Sequence, residues 1–244
     1  MKKKKNPAIR HLRNRAAFLM REWNRPEHLF RPDKEKAVFI VIDMQNFCCS
    51  PREGRFLQSM DDVIRNINLL ADHCHKEKIP VIWIRQSFNI DQNKSDAGLY
   101  PLFHRRPLSE EICNGSRGTE IYEELHFDRG IDCEVIKNRY SPFATGASNI
   151  NEILRTLERN QLLIAGLAAN VCVESTARDA MQRDYEVILL RDATAAFDEI
   201  LFEATLTNIG LFFGDVRRTY EVLDELECLP ARNFRKKPFR RLML

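Results

Sequence analysis

From residue 37 onward the chain alternates short unbroken apolar runs with stretches of helical period. "AVFIVID" (37–43) is a buried-strand run, and the loop "MQNFCCSPREGR" follows it. In "DDVIRNINLLADHCHKEK" (61–78), Val63, Ile67, Leu70 and Ala71 recur on one helical face. "PVIWIR" (80–85) reads as the next strand. A polar, Gly- and Pro-containing stretch over 86–132 reads as pocket-forming loop with a short helix near "TEIYEEL". "CEVIK" (133–137) is a third strand, and "SNINEILRTLERN" (148–160) a helix with Ser148 as its N-cap. "QLLIAG" (161–166), a helix from about Cys172, and "EVILL" (186–190) make another strand–helix–strand unit. Helices over 198–211 and 217–227 close the pattern, with a short strand near "FGDV". Fully apolar strands separated by helices indicate a parallel sheet covered on both faces. The expected fold is an open α/β domain over 37–230, with a partly helical extension at 1–36 and a tail at 231–244.

Composition changes this picture little. At 244 residues, with 44% apolar and 30% charged content, the chain resembles an ordinary globular protein. It has no apolar run of membrane-spanning length and opens on no secretory signal. Seven cysteines without paired spacing favour reduced thiols and a cytoplasmic location, and the absence of C-x-x-C argues against structural zinc.

Charge changes it more. Residues 1–36 hold twelve Lys/Arg against four Asp/Glu, and residues 232–244 hold six against none, so the body between them is acidic. Such tails suit nucleic acid or anionic lipid, or they pack on the acidic body or a neighbouring subunit. The apolar residues of "AIRHLRNRAAFLMREW" favour packing, which makes this stretch a natural arm for a homo-oligomer, a dimer or tetramer. "MKKKK" reads as solvated, and the lack of serine weakens a transit-peptide reading.

In open α/β sheets, sites form beyond the carboxyl ends of the strands. Asp43 ends the first strand, Lys137 the third, and Cys172 follows the fourth at the expected start of a helix. A helix N-terminus or a lysine lowers a thiol's pKa, and a carboxylate can take its proton and return it to a leaving amine. Backbone N–H groups in the turn "GLAANVC" could hold an oxyanion. Singly, each residue has a commoner role: Asp43 capping a turn, Lys137 on the surface, Cys172 packed in a core. Their coincidence at three strand ends favours chemistry. Cys48 and Cys49 read as pocket-wall thiols, and His73 and His75 as solvated.

"FIVIDMQNF", "KNRYSPF" and "GLAANVCVESTARDAMQRDYEVILLRDATAAF" resemble the isochorismatase-like cysteine hydrolases, a family that includes nicotinamidases, N-carbamoylsarcosine amidases, biuret hydrolases and ureidoacrylate amidohydrolases. The resemblance covers roughly residues 37–225. It implies an Asp43–Lys137–Cys172 triad, a cis peptide at Leu167–Ala168, and an oxyanion hole from the N–H groups of Ala168 and Cys172. It also implies a three-layer αβα sandwich on a six-stranded, mostly parallel sheet of Rossmann-type topology. "NGSRGTEIYEEL" and "NIGLFFGDV" bring the chain nearest the ureidoacrylate branch, which hydrolyses a ureido C–N bond. Ala169 stands where many members have threonine, and Gln86 and Phe88 where that branch has Asn and Trp. Nicotinamidases hold a metal through an Asp and histidines after the second strand; here "RQSFNIDQNK" offers Asp91 without a histidine pair, so neither metal nor cofactor is expected.

The expectation is thus a cysteine-dependent amidohydrolase acting on a small ureido, carbamoyl or amide substrate. Phe47, Gln86, Phe88, Tyr140 and Asn170 are the expected pocket residues. The alternatives are a vinyl ether hydrolase of the isochorismatase type, or a binding protein using its basic tails.

Overall fold

The computed structural model describes residues 6–50, 60–91, 94–104 and 110–227. The "MKKKK" start and the tail at 231–244 lie outside the described residues. Six strands form the main sheet: β1 (Ala37–Ile42), β2 (Val81–Gln86), β3 (Cys133–Lys137), β4 (Gln161–Gly166), β5 (Glu186–Thr194) and β6 (Asp215–Arg217). Their order is β3-β2-β1-β4-β5-β6, and every pairing is parallel. The longer helices around them are α1 (Pro7–Glu22), α2 (Met60–Glu77), α3 (Ile150–Leu157), α4 (Glu174–Met181), α5 (Glu199–Asn208) and α6 (Thr219–Glu227).

Alternation along the strands explains the three layers. Phe39 and Val41 of β1, with Trp83, Leu163 and Ile188, face a core closed by Ile67 and Leu70 of α2 and Val222 of α6. Val38, Ile40 and Ile42, with Ile84, Ile164 and Leu189, face the opposite core, closed by Leu154 of α3, Ala177 of α4 and Leu206 of α5. A strand buried on both faces must be apolar at every position, which is why "AVFIVI" shows no polar alternation. The winding of the chain reverses between β1 and β4, and that switch point opens a crevice at the strands' carboxyl ends.

Three local expectations change. No helix forms over 119–125: a 3₁₀ turn at Arg117–Thr119 leads to Ile121, which bridges antiparallel to Gln45. The helix expected over 148–160 is shortened to α3, stopped by Glu158 at φ 53°. Ser148 still serves it, because its hydroxyl accepts the Ile150 N–H at 3.2 Å, although Asn149 is the capping residue. The helix expected from about Cys172 begins earlier, as a π-helical turn over Ala169–Val173 that continues directly into α4.

The basic extension packs on the body. Asn6 caps α1, and the Arg13 guanidinium meets Glu203 of α5 through two 2.7 Å hydrogen bonds. Trp23 packs its ring against Phe212, 5.7 Å between centroids.

Gly166 ends β4 beside β1 with φ +112°, and a Cβ there would stand 2.0 Å from the Ile42 carbonyl oxygen. Both the dihedral and the contact exclude a side chain. Gly166→Ala should therefore cost about 3 kcal/mol from backbone strain and overpacking, read in equilibrium urea unfolding. A loss below about 1 kcal/mol would mean that the two strands separate easily.

Candidate active site

Asp43 is the first residue beyond β1 and takes φ +52°, a left-handed conformation that Asp tolerates better than most residues. Its N–H still bonds the Ile84 carbonyl of β2 (2.8 Å), so the chain turns while anchored to the sheet. Lys137 is the last residue of β3, two strands away, and is wholly buried. An ammonium has three donors and no acceptor. Lys137 Nζ directs them at Asp43 Oδ2 (2.8 Å), Gln86 Oε1 (3.0 Å) and Cys172 Sγ (3.5 Å). The structure thus brings the three strand-end residues into one buried cluster.

Cys172 sits in the wide turn between β4 and α4, which is fixed from several sides. The Leu167–Ala168 peptide is cis. Leu167 N–H bonds the Ile42 carbonyl, Ala169 N–H bonds the Ala195 carbonyl, and the Ala168 carbonyl accepts from Val171 and Val173. The Ala168 N–H has no backbone partner among the described residues. Thr176 donates its hydroxyl to the Cys172 carbonyl (2.6 Å). Glu174 ties the turn to α5 by accepting from Thr205 while pairing with Arg178.

The electrostatics correct one expectation. Burial pushes the Cys172 thiol well above its ordinary pKa, the Asp43 carboxylate adds to the rise, and only Lys137 opposes it. Burial also disfavours the Lys137 ammonium, but the Asp43 carboxylate and the hydrogen bonds to Asp43 and Cys172 outweigh that, and its pKa lies above the usual lysine value. The cluster therefore holds a thiol beside the Lys137–Asp43 ion pair. Asp43 Oδ1 is buried and has no hydrogen-bond partner among the described residues.

The expected pocket residues separate. Gln86, at the end of β2, reaches the cluster directly. Asn170 lies in the Cys172 turn with its Oδ1 buried and unpartnered among the described residues. Phe88 is wholly buried: with Ala97 and Ile112 it forms a small core under Tyr100, and Phe47 packs against that core. Tyr100 is not legible in the sequence, because the stretch around it has no periodicity. Its ring lies 4.8 Å from Phe88 and 5.9 Å from Tyr140. Burial raises both phenols' pKa values, and Cys172 adds to each rise. Tyr100 and Tyr140, with Ala97, Leu99, Phe103, Asn138 and Arg139, line a cavity of about 220 Å³. A larger groove, about 820 Å³, runs past Lys36 and Glu186 at the opposite end of the strands, and neither lining includes Asp43, Gln86, Lys137 or Cys172.

Gln45 is a second residue that sequence reasoning misses. Its side chain donates to the carbonyls of Gln86 and Thr119 and accepts the Gln86 N–H, fixing the end of β2. The other candidates play structural parts. Cys49 is buried, and that burial, with the charge of Glu124, pushes its thiol up to about 12. Cys48 is partly buried against the core under α2. The histidines of α2 are not solvated: His73 is buried with Nδ1 3.8 Å from Glu227, and His75 contacts Asp132 at 2.8 Å. Among the described residues no group of three or more His, Cys, Asp or Glu is arranged to hold a metal ion. No described helix is long and apolar enough to cross a membrane.

Residues 37–221 match the model of the isochorismatase domain, and the chain belongs to the isochorismatase family. It is 33% identical to the ureidoacrylate amidohydrolase RutB of Pseudomonas syringae pv. syringae, over 78% of this chain and 83% of that protein. It is 30% identical to nicotinamidase 3 of Arabidopsis thaliana, over 75% and 85% of the respective chains. Among solved structures, it is similar to a cysteine hydrolase from Pseudomonas syringae pv. phaseolicola, with TM-score 0.74 and 26% identity over 82% of this chain and 96% of that one.

The opposed influences on the thiol can be separated by substitution. Asp43→Asn removes a charge that raises the Cys172 pKa, so the thiolate should form at lower pH than in the wild type. Lys137→Met removes the opposing cation, so it should form at higher pH. Ultraviolet absorbance of the thiolate, taken as the difference from Cys172→Ala, reads both changes; movement of either in the other direction refutes this balance.

Proposed function

We propose that the protein is a cysteine-dependent amidohydrolase that cleaves a C–N bond in a small ureido, carbamoyl or amide substrate. The observation that carries this reading is the buried Lys137 ammonium within hydrogen-bonding reach of both Asp43 and Cys172. The thiol is neutral at rest, so it needs a base at the moment of attack, and Asp43 Oδ1 is the available one. The proton passes from Sγ to Asp43 as Sγ bonds the substrate's carbonyl carbon. Lys137 offsets the negative charge of the thiolate as it forms.

The resulting oxyanion lies at the turn over 167–172, where the N–H groups of Ala168 and Cys172 receive it. Collapse breaks the C–N bond, and Asp43 returns the proton to the leaving nitrogen, leaving an acyl- or carbamoyl-thioester on Cys172. Water then attacks the thioester carbon, passing a proton through Asp43 to regenerate the thiol. The two similar proteins named for amide hydrolysis support this chemistry. The thiol's place in the cluster favours it over vinyl ether hydrolysis, which needs no thioester. A cavity of about 220 Å³ beside the tyrosines suits a small planar molecule.

Ammonia release should be measured on ureidoacrylate, N-carbamoyl amino acids, biuret and nicotinamide. Wild type should turn over at least one compound, and Cys172→Ala should lose roughly four orders of magnitude or more of that rate. Turnover that survives in folded Cys172→Ala would refute covalent catalysis by this residue.

A further inference from the structure

Gln86 occupies an unusual position in the cluster. Its side chain lies between the amine and the thiol, with Oε1 3.0 Å from Lys137 Nζ and 3.6 Å from Cys172 Sγ. The orientation of its amide is fixed by chemistry: an ammonium can only donate, so the atom facing Lys137 is the oxygen. The thiol also donates to that oxygen. Gln86 Nε2 is consequently turned away, buried and without a partner among the described residues, in a side chain about nine-tenths buried. The backbone beneath it is held by Gln45, whose amide accepts the Gln86 N–H at 2.8 Å and donates to its carbonyl at 2.9 Å.

These contacts leave two unmet groups. Asp43 Oδ1 has no donor within hydrogen-bonding distance, while the thiol, which also interacts with Asp43, lies against an amide oxygen, which is no base. Gln86 Nε2 lacks an acceptor, and a buried N–H₂ without one is destabilising. A substrate with a second acceptor beside its scissile carbonyl would satisfy the amide, and movement of Gln86 toward it would release the thiol.

We propose that Gln86 is a positioning residue that locks the resting thiol: its Oε1 holds the Cys172 hydrogen until a substrate acceptor engages its Nε2 and draws the amide aside. The thiol hydrogen then turns to Asp43 Oδ1 and the proton transfers, leaving thiolate beside Lys137 and a protonated Asp43; no co-reactant is involved. The proposal rests on the assignment of Cys172 as nucleophile, and it selects substrates with two acceptors, such as a ureido carbonyl next to a carboxylate or second carbonyl. Idle thiolate would be exposed to oxidants and alkylating agents, and the lock restricts it to the occupied site.

The lock can be tested without turnover. Alkylation of Cys172 by iodoacetamide is followed against pH on the Cys172 peptide by mass spectrometry, in wild type, Gln86→Asn and Gln86→Met. Asn is too short to reach the thiol, and Met keeps the length but accepts hydrogen bonds poorly. The charged and phenolic groups around Sγ, namely Asp43, Lys137, Tyr100 and Tyr140, stay in place in both variants. The midpoint is the readout rather than the plateau rate, since a smaller side chain also widens access.

Both midpoints should move to lower pH, and a midpoint lower by about one pH unit would raise the alkylation rate below it roughly tenfold. A midpoint that is unchanged or higher in either variant, with folding confirmed by equilibrium unfolding, overturns the lock. Failure of the amidohydrolase reading would appear elsewhere, as ammonia release that persists in Cys172→Ala.

Discussion

An ammonium group sealed from water is tolerable only among acceptors, and the burial of Lys137 is the constraint around which this site is organised. Removing one partner from a buried ion pair typically costs about 3–5 kcal/mol, so Lys137 and Asp43 require each other before either can serve chemistry. They come from strands separated by β2. β1, β2 and β3 must therefore end at one level for the 2.8 Å contact between Nζ and Oδ2 to form. The pairing of Gln86 with Lys137, the last residues of β2 and β3, supplies that level and brings the glutamine amide to the ammonium.

The cluster works by opposition. Asp43 raises the thiol's pKa and Lys137 lowers it, so their joint presence does not produce a standing thiolate. It produces a thiol with a base and a cation beside it, arranged so that moving one proton changes which group carries the negative charge while the site's total charge stays the same. A cluster of constant charge needs little solvent rearrangement, which suits a buried location. The basic extension answers a separate demand: Arg13 meets Glu203, a largely buried carboxylate of α5, and so neutralises a charge of the acidic body.

Much of this is legible in the sequence, for reasons that also explain what is not. Strands such as "AVFIVI" are apolar at every position because both their faces are buried, and sheets of that kind collect their sites at the carboxyl ends. That is enough to select Asp43, Lys137 and Cys172. The stretch over 86–132 reveals little, because its shape depends on single contacts instead of a period. Gln45 bridges to Thr119, Tyr100 caps Phe88, and neither pairing leaves a mark in spacing. The state of the thiol escapes the sequence for a related reason: the pattern suggests a helix start near Cys172, but the depth of burial is a three-dimensional property.

Gly166 couples the base to the nucleophile through an atom it does not have. The space a methyl group would need is already taken by the Ile42 carbonyl, one residue before Asp43, and the chain that leaves Gly166 runs directly into the turn holding Cys172. The base and the nucleophile thus hang from two neighbouring strand ends whose separation is set by a hydrogen atom. Reach in this site is fixed upstream of the reacting groups, by a spacer of minimal size.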